Sequence, residues 1–230
     1  IIKHANPCGV SENKIPLASF KNAYASDPTS AFGGVIACNY RIDRKIAIEI
    51  NKNFLEVILA EGFDKDALEI LRRKKNLRII DISNFDLESR ISLKSFAGSF
   101  LLQTKDNIVL DKKKLKCVTK LKPSKKELAE IQFAFNICKY VKSNAIVICN
   151  NFSTIGIGSG QPSRLDSCKI AVEKAERFQS SKIKNSIAAS DAFFPFADGI
   201  KTLIKAGVKT IVQPGGSIRD QEVINVANKA

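Results

Sequence analysis

The sequence predicts a layered α/β protein built from two units, and three observations carry that expectation. Short β-rich runs alternate with amphipathic helical stretches along the whole chain. The same strand–turn–helix logic recurs in both halves, without obvious repetition of sequence. A lysine run at Lys112-Lys113-Lys114 marks a connection, dividing the chain into units of 1–115 and 116–230. With 230 residues there is material for a proper core in each.

In the first unit, Ile1-Ile2 reads as a buried strand that stops at Asn6-Pro7, because the residue before a proline is pushed out of helical geometry. Pro16 to Ala25 has helical spacing, with Leu17, Phe20 and Tyr24 on one face. Asp27-Pro28-Thr29-Ser30 breaks that helix, and Phe32-Gly33-Gly34 leads into a strand at Val35 to Cys38. Asp43 to Asn51 is a second amphipathic helix, followed by an apolar strand from Phe54 to Ala60. Ala67 to Lys75 reads as helix, Leu77 to Ile82 as strand, Phe85 to Ser95 as loop and Gly98 to Gln103 as strand.

The second unit opens on a helix start, Ser124 with Glu127 three residues on, which is the spacing of a capping box. Leu128, Ile131, Phe135 and Cys138 then repeat at helical spacing, and Ser143-Asn144 ends the run. Ala145 to Cys149 and Thr154 to Gly158 form a hairpin pattern around Asn150-Asn151. Ser163 caps a helix through Ala175, and Ser186 to Ala189 is a short strand ending at Ser190-Asp191. A helix at Ile200 to Ala206, a strand at Val208 to Val212 and a tight Pro214-Gly215-Gly216-Ser217 loop precede the last helix. Asp220 and Glu222 suit the positive N-terminal end of that helix.

The composition narrows the function classes. No apolar run approaches the roughly 20 residues that span a bilayer, and no signal-peptide pattern opens the chain, so a cytoplasmic location is expected. The absence of methionine and the start inside an apolar strand suggest a piece of something longer. Net charge is +14, mostly from lysine, and the lysine clusters at 74–75, 112–114 and 125–126 read as solvated surface. That charge suits an anionic small molecule. No aromatic–basic interleaving points to nucleic acid. Six cysteines without a CxxC pair, and a single histidine, give no basis for a closed zinc site, so no metal is expected and the cysteines read as small buried residues.

Four features hold candidate chemistry. His4 is the only imidazole, so any neutral-pH proton transfer through histidine must use it; the alternative is a structural histidine at a strand end. Glycine-rich turns at 33–34, 156–160 and 215–216 allow close backbone approach to a ligand, although the stretch 156–160 lacks P-loop spacing and lysine. Arg164 at a helix start suits a carboxylate or phosphate, or is merely a surface arginine. Phe193, Phe194 and Phe196 either wall a flat ligand or plug the core. A faint zinc-deaminase pattern at His4-Ala5-Asn6-Pro7-Cys8 lacks both the acid and the second cysteine.

Six segments occur in order: Lys-His-Ala-Asn-Pro-Cys-Gly-Val (3–10), Asp-Pro-Thr-Ser-Ala-Phe-Gly-Gly (27–34), Lys-Ser-Asn-Ala-Ile-Val (142–147), Ile-Gly-Ile-Gly-Ser-Gly-Gln (155–161), Ala-Ser-Asp-Ala-Phe-Phe-Pro-Phe (189–196) and Gln-Pro-Gly-Gly-Ser-Ile-Arg-Asp (213–220). In these the chain closely resembles the transformylase region of the bifunctional AICAR transformylase/IMP cyclohydrolase family, in its bacterial form. The resemblance is strongest over 1–60 and 115–228 and thin between 61 and 97. It implies two α/β/α units of cytidine-deaminase-like type with mixed sheets, and a homodimer with shared active sites.

The reaction it implies is formyl transfer from 10-formyltetrahydrofolate, a co-substrate, to the 5-amino group of AICAR. The resemblance makes His4 the base, Lys3 its partner at the developing negative charge, and Asn144 the residue that orients the reacting groups. Adjacent strand residues face opposite ways, so joint action of Lys3 and His4 requires irregular backbone near the Asn-Pro turn. Gly33, Arg164 and Phe193 match positions around AICAR; Glu56, Leu165, Asp198, Ser217 and Ile218 match the folate side. Glu56 stands where some relatives carry aspartate, and Lys105 and Pro162 depart from the more usual residues. The family's cyclohydrolase domain, an upstream Arg-Tyr ligand pair and a basic C-terminus lie outside this sequence, so the rival expectation is a non-catalytic remnant that folds and binds nucleotide or a partner chain.

Overall fold

The computed structural model describes residues 1–85 and 91–230. It is an α/β structure with two mixed sheets. The first sheet runs β2-β1-β3-β4-β5, built from Ile2–Lys3 (β1), Asn6–Pro7 (β2), Gly34–Cys38 (β3), Leu55–Ala60 (β4) and Arg78–Asp81 (β5). β3, β4 and β5 are parallel, β1 runs antiparallel to β3, and β2 pairs antiparallel with β1 at the edge. Helices Pro16–Ser26 (α1), Pro28–Ala31 (α2), Arg44–Asn51 (α3) and Lys65–Leu71 (α4) fill the connections. Ile36, Ile46, Ile50, Ile58 and Leu71 are almost fully buried among them. α3 starts where Asp43 accepts the Ile46 amide at 2.8 Å, a side-chain cap at the positive helix end.

The parallel β3–β4 pairing slips by one residue, so that Gly34 faces Leu55 but Val35 faces Val57. Glu56 is the extra residue, and a bulge of this kind re-aims a side chain.

A ribbon follows, Ile91–Phe96 (β6) paired antiparallel with Ser99–Thr104 (β7). The loop expected over Phe85 to Ser95 is thus corrected from Ile91 onward, while 86–90 lie outside the described residues. The Ile-Ser-Leu-Lys-Ser-Phe alternation is the strand signal. Leu93 faces Leu102 across the ribbon, and Phe100 lies on the same face; all three are more than half exposed.

The second sheet runs β11-β10-β8-β9, from Ile146–Asn150 (β8), Ser153–Gly158 (β9), Ser186–Ser190 (β10) and Val208–Val212 (β11). Only β10–β11 is parallel. Helix Lys125–Cys138 (α5) covers one face; Arg164–Gln179 (α6), Ala197–Ala206 (α7) and Asp220–Lys229 (α8) cover the other. Successive side chains of a strand point to opposite faces. Ile146 and Ile148 accordingly meet Ala171 and Leu203, while Val147 and Cys149 meet Ile131 and Ala134. Gly156 and Gly158 are packing positions: a Cβ there would lie 2.0 Å from the Ala171 carbonyl oxygen and 1.9 Å from that of Ser167. They let α6 lie close on β9.

Helix ends follow local chemistry. α4 stops at Leu71, four residues short of the expected end, and Arg73 and Lys74 turn back to Ile70 and Leu71. Lys74 is not a solvated lysine: it is half-buried, its ammonium donates to the Asn53 carbonyl, and burial lowers its pKa. α5 likewise ends at Cys138, ahead of Ser143-Asn144. Cys117 is the exposed exception among the cysteines. The capping box forms as expected, with Glu127 N donating to Ser124 Oγ at 3.2 Å and Ser124 N to Glu127 Oε2 at 2.8 Å.

The bond from the Ser124 amide is the main reason the Glu127 carboxyl falls to about 2, with Lys209 at 3.1 Å assisting. A depressed folded-state pKa gives stability that is present above the unfolded value, near 4.5, and is lost as pH falls toward 2. The melting-point gap between wild type and Glu127→Gln is expected to close over that interval. A gap independent of pH would refute the assignment.

The two halves are joined along β9 and α6. Val10 and Thr154 exchange hydrogen bonds through the Thr154 amide and hydroxyl, both at 2.9 Å, and Glu12 N donates to Phe152 O at 2.9 Å. Lys174 reaches the buried Asp27 at 2.7 Å. Burial alone would raise the Asp27 carboxyl, but hydrogen bonds from Lys174 and Ser30 outweigh it and hold the pKa low.

Candidate active site

The turn between β1 and β2 is a two-residue hairpin with Lys3 opposite Asn6. Its central residues, His4 and Ala5, have φ of 51° and 60°. A tight turn with both centres left-handed ordinarily uses Asn-Gly, and alanine there is strained by about 1–3 kcal/mol. The irregular backbone needed near the Asn-Pro turn is therefore found at His4-Ala5 itself. His4 is exposed, and the Lys3 ammonium donates to the Phe32 carbonyl at 2.6 Å, directly before Gly33.

Gly33 has φ of +71°, and its amide donates to Phe54 O at 2.9 Å. The rings of Phe32 and Phe54 pack with centroids 5.1 Å apart and stay about half exposed. Lys3, His4, Gly33 and Glu56 thus belong to the first sheet and the turns that serve it. Glu56 is exposed and makes no side-chain hydrogen bond or ion pair among the described residues.

The second unit supplies a buried network. Arg164, the first residue of α6, donates through Nη1 to Ser190 Oγ at 2.7 Å and Asp191 Oδ1 at 2.6 Å. Through Nη2 it donates to Asn144 Oδ1 at 2.6 Å. Asn144 Nδ2 donates to the carbonyls of Gln161 and Pro162 at 2.8 and 3.0 Å. Arginine has no acceptor and carbonyls no donor, so the carboxamide orientation is fixed. Burial alone would raise the Asp191 carboxyl, but bonds from Ser143, Arg164 and the Ala145 amide, with the guanidinium charge, hold it below the ordinary range. Arg164 is no surface arginine: its side chain is 8% exposed and stands behind Asn144.

The three phenylalanines divide between the two roles open to them. Phe194 is core, whereas Phe193 and Phe196 are 41% and 50% exposed. Phe194 N donates to Gln213 Oε1 at 2.7 Å, tying this segment to the glycine loop before α8. Gly216 N donates to Asp220 Oδ2 at 2.7 Å, and Arg219 stacks 4.8 Å above Phe196. Asp198, in the first turn of α7, and Ser217-Ile218 flank this corner, with Ile218 fully exposed; Leu165 lies in the first turn of α6, half-buried.

The two groups meet where Lys142 N donates to Asn6 Oδ1 at 2.9 Å, linking the His4 turn to the Asn144 loop. Sequence reasoning assigned no role to Asn6, Ser190, Asp191 or Gln213. Each acts through a contact across many residues, and only their place inside the quoted motifs hinted at them. Among the described residues no three His, Cys, Asp or Glu side chains cluster as metal ligands. No helix there is long and apolar enough to cross a membrane.

Known proteins are similar to this chain along its whole length. The profile of the AICARFT/IMPCHase bienzyme family matches residues 1–174. The bifunctional purine biosynthesis protein PurH of Chelativorans sp. is 47% identical over 237 residues, covering 100% of this chain and 44% of the relative. PurH of Nostoc punctiforme is 45% identical over 228 residues, with 99% and 44% covered. PurH of Aquifex aeolicus is 45% identical over 229 residues, with 100% and 44% covered. The chain spans less than half the length of these relatives. With a family match over most of its length, and similarity to such relatives from end to end, the chain belongs to the AICARFT/IMPCHase bienzyme family.

Proposed function

We propose that this chain carries the formyl-transfer site of a bifunctional purine-biosynthesis enzyme. The 5-amino group of AICAR attacks the formyl carbon of 10-formyltetrahydrofolate, the C–N bond to the folate breaks, and formyl-AICAR and tetrahydrofolate leave. The amine is a weak nucleophile because its lone pair is conjugated with the imidazole ring. Proton removal and stabilisation of the tetrahedral oxyanion therefore both contribute. His4 takes the amine proton, a proton is delivered to the departing folate nitrogen as its C–N bond breaks, and Lys3 supports the oxyanion from beside Gly33. Asn144, with its carboxamide held by Arg164, orients the reacting groups. Gly33, Arg164 and Phe193 surround AICAR, while Glu56, Leu165, Asp198, Ser217 and Ile218 serve the folate.

The observation that carries this reading is the junction of the Lys3-His4 turn with the Asn144 loop, from opposite halves of one chain. The units 1–115 and 116–230 are proposed as subdomains that meet there, in a cytoplasmic enzyme. The test is turnover of AICAR and 10-formyltetrahydrofolate by the chain alone and within the longer polypeptide that carries it. Nucleotide binding without product in both would favour the non-catalytic remnant.

A homodimer with shared sites accompanies the proposal, supported by the open apolar face of the β6–β7 ribbon. An isolated two-stranded hairpin is marginal in water, so an apolar partner surface would stabilise it. Phe100→Asp with Leu102→Asp is expected to shift the mass in sedimentation equilibrium from dimer to monomer. An unchanged dimer would remove the ribbon from the interface.

A further inference from the structure

We propose that Asn6 is a positioning residue that sets the His4 turn against the Asn144 loop; this rests on the formyl-transfer reading of His4 and Asn144. Three observations support it. First, the turn is strained at its centre, with His4 and Ala5 both at positive φ, and a strained conformation persists only where its surroundings impose it. The β1–β2 pairing supplies only two residue pairs, Ile2 with Pro7 and Lys3 with Asn6. Second, Asn6 extends that support out of its own sheet, because its Oδ1 accepts the Lys142 amide at 2.9 Å across 136 residues of sequence.

Third, Lys142 is held on its other side as well. Its carbonyl accepts Gly160 N at 2.8 Å, and Asn144 N donates to Gln161 O at 3.1 Å. The 142–144 loop is thereby fixed to the β9–α6 connection that leads into Arg164. Asn6 is the hydrogen-bonded step from the His4 turn onto this rigid frame. Further along, Val10 and Glu12 bond to Thr154 and Phe152 at the opposite end of β9. The segment from Asn6 to Glu12 is therefore bonded near both ends to the second half of the chain. Losing the Asn6 contact uncouples the turn from the Asn144 loop while leaving the Val10 and Glu12 bonds, and the Lys3 bond to Phe32, in place.

Asn6→Leu keeps the size of the side chain and removes the acceptor; Asn6→Asp keeps an acceptor for the Lys142 amide. Both are to be compared in the full-length polypeptide, with wild type and His4→Ala as references. Asn6→Leu is expected to lose roughly 10- to 100-fold in kcat, because a misplaced catalytic group costs rate rather than binding. Its KM for AICAR and its melting point should stay close to wild type, and Asn6→Asp should restore most of the kcat.

Unchanged kcat in Asn6→Leu would overturn the proposal. So would equal loss in Asn6→Asp, or a loss seen only in KM. Amide hydrogen exchange at Lys142 reads the tether without turnover: protection should fall in Asn6→Leu and hold in Asn6→Asp. An inactive wild type, or an active His4→Ala, refutes the reading of His4. In that event unchanged Lys142 protection in Asn6→Leu still overturns the tether itself.

Discussion

Replacing His4 with alanine is expected to lower formyl transfer by about 10²- to 10⁴-fold, the usual worth of a positioned general base. His4 is the only histidine among the 230 residues, so none of the other residues of this sequence offers an imidazole. It is also exposed on a turn tip, where its ring adds nothing to the core. The melting point of His4→Ala should therefore stay close to that of wild type. Full activity in His4→Ala would remove His4 from the chemistry.

The second large effect is expected at the Arg164–Asp191 pair. Its side chains are 8% and 17% exposed, and the guanidinium also bonds Ser190 and Asn144. Removing one partner of a buried pair leaves the other charged and uncompensated, which costs about 3 kcal/mol. For a chain of this size that corresponds to a melting-point drop of roughly 6–12 °C. Arg164→Ala should show this drop together with loss of turnover, because Asn144 loses the donor that fixes its carboxamide. Asp191→Ala should be comparably unstable, and the double variant far less than additive. The depressed Asp191 carboxyl gives stability present above the unfolded range near pH 4 and lost as pH falls through its lower folded value. Asp191→Asn should show less of this acid loss. Additive single variants would mean that the two side chains do not act together.

Much of the fold was legible because it depends on neighbours in sequence. The Ser124–Glu127 box, the Ser163 cap and the strand runs expected at 35–38, 54–60 and 208–212 are local patterns, and the structure follows them to within a residue. β6 was read as loop because its alternation is short and its side chains are mostly polar or exposed; its pairing with β7 through the Ala97-Gly98 turn completes it. The glycines at 156 and 158 resembled a ligand loop, although what they accommodate is α6. Buried Phe194 and exposed Phe193 could not be separated by spacing alone, since the division is set by Gln213 and the α7 packing. The candidate site was legible as residue types in motif order, while its assembly was not. The Asn6–Lys142 and Arg164–Asp191 contacts join residues 136 and 27 apart, and no local pattern encodes such distances.

The central claim is that this chain holds the chemistry of formyl transfer to AICAR. The most direct measurement is a single-turnover reaction of the full-length polypeptide with AICAR and 10-formyltetrahydrofolate, following formyl-AICAR by mass and tetrahydrofolate by absorbance. The account predicts both products in equal amounts, formed by wild type and not by His4→Ala. Nucleotide binding with neither product, or equal product from both proteins, would contradict it.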